Sequence, residues 1–70
     1  MAMAVAVQRL QIGDVISITV PGEDGDVEAT VIRDIDRTDA TIRATLRVAG
    51  RAEFVTEWPL GELVTVVRGP

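Results

Sequence analysis

Five residue types are missing from this 70-residue chain: there is no Cys, His, Lys, Asn or Tyr, and aromatics are limited to one Trp and one Phe. Without Cys, neither a disulfide framework nor a thiolate zinc site can staple the fold. Without His, Cys or Lys, a nucleophile has only carboxylates to activate it, and Ser17, the sole serine, lies between Ile16 and Ile18 in a strand-like run. A lipoyl or biotinyl carrier needs an acceptor Lys on a hairpin turn, so that class is excluded. The chain therefore reads as non-enzymatic, with no cofactor and no small-molecule substrate. No run approaches the ~18 apolar residues of a membrane span, and "MAMAVAV" has neither the basic start nor the length of a signal peptide. The expectation is a cytoplasmic protein with no membrane partner.

What is present points to a folded domain. Hydrophobic residues make up 47% of the chain, mostly Val, Ile, Leu and Ala, and charged residues 26%, a balance unlike that of a disordered tail. A single domain of this size buries only about 60% of the surface its unfolded chain exposes, so every apolar side chain is needed inside. All seven basic residues are Arg, as a GC-rich bacterial coding sequence would give, and the formal net charge is −4. That charge repels a phosphate backbone unless the arginines gather on one face.

Alternation dominates over helical spacing along the whole chain. After a leading strand-like segment, residues 5–12, Gly13 and Asp14 supply a tight turn. In "VISITV", residues 15–20, Ile16, Ile18 and Val20 share one face, and Val15, Ser17 and Thr19 the other. Pro21 and the turn-rich "PGEDGD" end it. "VEATVIRDID", residues 27–36, alternates through Val27, Ala29 and Val31 until Ile32 and Ile35 break parity, which predicts a bulge near Arg33 and Asp34. "RTDA" makes a turn. "TIRATLRV", residues 41–48, then puts Ile42, Ala44, Leu46 and Val48 inward and Thr41, Arg43, Thr45 and Arg47 outward.

Residues 52–58 continue with Ala52, Phe54, Thr56 and Trp58 on one face. A two-residue turn at 49–50 would oppose Leu46 to Glu53 and mix the faces. A three-residue loop, 49–51, pairs Leu46 with Phe54, Ala44 with Thr56 and Ile42 with Trp58, and sets Arg47 opposite Glu53 and Arg43 opposite Glu57. Such opposite-charge pairs contribute roughly 0.2 to 1 kcal/mol each, so pattern and electrostatics select the same register. "PLGE" reads as a short 3₁₀ turn near residues 59–62, leading into a last strand at 63–67.

The fold class expected is all-β, five to six short antiparallel strands in a small closed or partly closed barrel. "IGDVISI", "PGEDGD", the bent "VEATVIRDID" and "EWPLGELVTVV" together resemble an SH3-like small β-barrel, and are similar to small actinobacterial SH3-like domains of unknown function. The resemblance covers residues 12–68 as the barrel domain. It leaves 1–11 as an N-terminal segment that adds a strand to its own barrel or pairs with a second copy. A proline-rich ligand does not carry over, because peptide-binding SH3 grooves need several aromatics and this chain has Trp58 and Phe54 alone.

All-oxygen metal sites fare poorly. An EF-hand loop starting at Asp34 needs Gly at 39 and Glu at 45, where the chain has Asp39 and Thr45. Glu23, Asp24 and Asp26 read as a solvated acidic turn. The function expected is a protein-interaction or accessory module that self-associates as a homodimer. Its contact surface is drawn from Trp58, Val55, Arg43, Arg47, Val5 and Val7, with Val15 or Val64 extending an exposed strip beside Val55. The alternative is a nucleic-acid-binding small barrel using Arg33, Arg43 and Arg47.

Overall fold

The structure, a computed structural model, describes residues 2–19, 22 and 24–70. Val20, Pro21 and Glu23, which the sequence places at a strand end and in its acidic turn, lie outside the described residues. Six strands form one antiparallel sheet: β1 (Met3–Ala6), β2 (Val15–Thr19), β3 (Asp26–Arg37), β4 (Thr41–Val48), β5 (Phe54–Pro59) and β6 (Leu63–Arg68). Their order across the sheet is β1-β6-β2-β3-β4-β5. β1 and β5 are thus the two edges. Among the described residues no ladder joins them, so the sheet is open rather than a closed barrel.

The β4–β5 hairpin has the register that face-matching demands. Leu46 opposes Phe54, Ala44 opposes Thr56, Ile42 opposes Trp58 and Arg43 opposes Glu57. The loop closes with the Arg51 N–H donating to the Val48 carbonyl at 3.0 Å. At the other end of β4, the Thr38 hydroxyl accepts the Ala40 and Thr41 N–H groups at 3.2 and 2.9 Å, a side-chain turn that Thr is suited to make.

β3 carries the expected irregularity, and carries it twice. From Val31 to Arg33 the strand advances two residues while β4 advances one, Leu46 to Thr45. Between Arg33 and Asp36 it advances three against two, Thr45 to Arg43. Asp34 sits between at φ 60, a left-handed conformation that Asp tolerates better than most residues. The first bulge turns Arg33 outward although Val31, of the same parity, is core; the second returns Ile35 to the core. Ile32 is only half-buried.

Three local expectations change. The 3₁₀ helix lies at Val7–Arg9, not at 59–62. At 59–62 there is a β-turn, in which the Glu62 N–H donates to the Pro59 carbonyl at 3.2 Å with Gly61 at φ +88, a sign no right-handed 3₁₀ turn allows. The leading segment 5–12 is a strand only as far as Ala6. There its partner β6 begins at Leu63, and the Glu62 carbonyl takes the Val7 N–H at 2.9 Å, so no ladder remains to extend along. Val15 is buried as well as Ile16, at 8% and 0% exposure, because Val15 opposes Arg68 and Ile16 opposes Val66, skipping Val67 as a bulge on β6.

The core runs across the inner face of the sheet. Ile16, Ala29, Val31, Ile42, Ala44, Leu46, Val48, Trp58 and Val64 are buried, and Phe54, Ile18 and Ile35 pack against them. Val7 and Leu10, from the segment before β2, belong to the same cluster. The Gly13 turn is tied in from both sides: its N–H donates to the Val31 carbonyl at 2.7 Å, and the Asp14 carboxylate takes the Gln11 N–H at 2.8 Å. Gly13 stands at φ +100 against Pro70, where a Cβ would meet the proline ring at 2.8 Å.

Candidate functional site

Two surfaces flank β5, one on each face. On the outer face the bulge in β3 and the alternation of β4 bring Arg33, Arg43 and Arg47 into one area, with Arg33 opposite Thr45 and Thr45 opposite Val55. Arg47 Nη2 donates to Glu53 Oε2 at 2.8 Å, and Arg33 Nη2 donates to the other oxygen of the same carboxylate. Arg43 does not pair with Glu57 despite facing it. Its guanidinium lies 4.0 Å from Asp36, and Glu57 accepts the Thr41 hydroxyl at 3.0 Å. Val55, 60% exposed, sits among these charges.

The hydrogen bond from Arg47 holds the Glu53 carboxyl below its ordinary value; desolvation opposes this, and the positive charge of Arg33 adds to the lowering. A depressed carboxylate contributes stability that is fully present above its unfolded-state pKa and is lost as pH falls through the lower folded value. Glu53→Gln should therefore flatten the acid limb of a stability-against-pH curve and leave the neutral-pH fold intact. Urea unfolding at a series of acidic pH values reads this, and an unchanged acid limb would mean that the Arg33–Glu53–Arg47 cluster contributes nothing in solution.

On the inner face, a half-open groove of ≈ 800 Å³ runs beside β5. Phe54, Thr56 and Trp58 form one wall, Ile18 and Val64 lie across from them, and Glu62 and Arg51 stand among its polar lining. It exists because β5 is an edge strand, and because a chain with two aromatics has little side-chain volume to fill the space between the sheet's curled ends.

The six residues drawn from the sequence as a contact surface do not form one site. Val55, Arg43 and Arg47 share the outer face. Trp58 is 8% exposed on the inner face, with its ring in the core and an edge in the groove. Val5 is half-buried opposite Val64, and Val7 is fully buried, so Val7 is core and offers no contact surface. Val15 and Val64 are also buried and do not extend a strip from Val55. The acidic turn has a local role instead: Asp26 accepts the Thr19 hydroxyl at 2.8 Å and the Ser17 hydroxyl at 3.4 Å. Sequence reading placed Thr56 beside Phe54 and Trp58 but missed Glu62 and Ile18 as their neighbours. Nothing local brings β6 and β2 across from β5, which the strand order sets apart from them; only the curl of the whole sheet does.

No helix among the described residues is long and apolar enough to cross a membrane. No protein-family model, curated protein or solved structure matches the chain.

Proposed function

We propose that the chain is a partly closed SH3-like barrel that works as a non-enzymatic protein-interaction module in the cytoplasm and associates with a second copy of itself through the outer edge of β1. The order β6-β2-β3-β4-β5, a meander whose last strand returns beside the first, together with the sharp bend of β3, supports the SH3-like part of the reading. One observation carries the self-association. β1 is an edge strand made of Met, Ala, Val and Ala, with no charge, no proline and an unbroken register against β6. Edge strands normally carry such guards, because a bare row of N–H and C=O groups templates another strand. β5, the other edge, has Glu57 and Pro59. Two β1 strands meeting antiparallel around a two-fold axis bring no like charges together and close the assembly at a dimer.

Sedimentation equilibrium over a wide concentration range tests this. A monomer–dimer equilibrium is expected for the natural chain and a monomer for Ala4→Lys, with unchanged thermal unfolding of the monomer. A natural chain that stays monomeric at high concentration overturns it.

The second reading, a nucleic-acid-binding barrel, draws on the gathering of Arg33, Arg43 and Arg47 on one face. Glu53 holds two of these and Asp36 lies beside the third, so the face is a mixed ladder rather than a positive patch. Binding to single-stranded RNA or DNA that weakens steeply as salt rises would favour this second reading over the first.

A further inference from the structure

We propose that the groove beside β5 accepts an extended, basic segment of a partner protein, laid along the free edge of β5 as a seventh strand. The inference rests on the interaction-module reading, but not on the β1 edge. β5 ends the sheet, and among the described residues no strand lies against its outer row of backbone groups; Glu57 and Pro59 guard that edge against a second copy of this acidic chain, but Glu57 favours a basic strand. Its alternate residues Phe54, Thr56 and Trp58 line the groove while Val55 and Glu57 do not. A strand added to that edge would drop every second side chain into the groove, since successive residues point to opposite faces. Apolar side chains of the incoming strand would meet Phe54, Ile18, Val64 and the exposed edge of Trp58, and the hydroxyl of Thr56 would lie between them.

Charge selects the occupant. Arg51 is already engaged, and Glu53 is held by Arg33 and Arg47. Of the charged side chains that line the groove among the described residues, Glu62 alone forms no ion pair. The charge left unneutralised at the groove is thus the Glu62 carboxylate, in a chain of net charge −4. A partner strand carrying Lys or Arg at its exposed positions is favoured, and an acidic one is repelled. A polyproline helix is a poor fit, because it needs an aromatic ladder and cannot satisfy a strand edge.

The test uses synthetic peptides of alternating Val and Thr flanked by lysines, titrated into the isotope-labelled protein and followed by amide chemical shifts. The lysine peptide is expected to bind with shifts concentrated on β5 and at Glu62, and its glutamate counterpart to bind at least several-fold more weakly. Glu62→Arg, an exposed change that leaves the core alone, should weaken the lysine peptide by about two- to fivefold, the range of a surface charge pair. Thr56→Lys should abolish binding. Equal binding of both peptides, shifts centred away from β5, or no binding at millimolar peptide would each overturn the proposal. Running the titration on Ala4→Lys separates the two ideas. A monomer that still binds the peptide supports the groove whatever becomes of the β1 dimer, and a natural chain that dimerises without binding it removes the groove alone.

Discussion

Val7→Asp is expected to leave the protein unfolded at neutral pH. Val7 is 0% exposed and among the largest fully buried side chains, held in a 3₁₀ turn whose first N–H is tied to the Glu62 carbonyl. A carboxylate there loses its hydration inside an apolar cluster, at a cost of several kcal/mol. A domain under ~80 residues rarely has more than about 3 to 5 kcal/mol of stability in total, so the substitution consumes the whole of it. Far-UV circular dichroism and amide dispersion would read the loss. Met3→Asp, at a position 66% exposed in β1, is the control and should shift the unfolding midpoint little. If Val7→Asp kept a dispersed native spectrum, residues 1–11 would be an appendage rather than part of the core.

Trp58→Ala should have the next largest effect, about 3 to 5 kcal/mol, the usual cost of emptying a buried large aromatic site. Trp58 opposes Ile42 in the ladder and packs in the main cluster with only 8% of its surface exposed. Truncation there leaves a cavity in a core that has no other large ring to move in, since Phe54 is the only other aromatic and is already committed opposite Leu46. Trp58→Leu keeps much of the apolar volume and should retain the fold at reduced stability. Chemical denaturation followed by circular dichroism measures Trp58→Leu, and loss of the native spectrum and of a cooperative transition reads Trp58→Ala. A loss under about 1 kcal/mol for Trp58→Ala would show that the indole is a surface platform and not a plug.

These two residues also mark how far the sequence could be read. The inward direction of Trp58 was legible, although the residue was also offered as a contact surface, because strand parity is a local property: period 2 places it with Phe54 and Thr56, and only a three-residue loop lets that face meet Ile42, Ala44 and Leu46. The bulge in β3 was legible for the same reason, since Ile35 cannot reach the core without a parity break near Arg33 and Asp34. Val7 was not legible. Its odd-numbered spacing with Val5 reads as one continuing strand, and what ends that strand is a distant event, the start of β6 at Leu63. The turn at 59–62 failed on a finer point: Pro and Gly both announce a turn, but the positive φ of Gly61 decides which kind.

Charge shows the same division. Composition and cross-strand pattern put Arg47 beside Glu53, and the structure keeps that pair. Arg33 joins it only because the first bulge in β3 turns the residue outward, and Arg43 goes to Asp36 because a bulged β3 brings that carboxylate across from it. Both outcomes turn the candidate nucleic-acid face into a neutralised one, and both depend on strand-to-strand geometry.

The sequence by itself determined the class of structure, the inward faces of β4 and β5 with the register between them, and the chemistry that lacks residues to perform it. Each of these follows from local periodicity or from composition. The tertiary structure alone decided which strands are edges, that Val7 and Leu10 complete the core, and that a groove lies open beside β5. These depend on which segments, far apart in the chain, end up hydrogen-bonded to one another, and alternation is blind to the choice of neighbour.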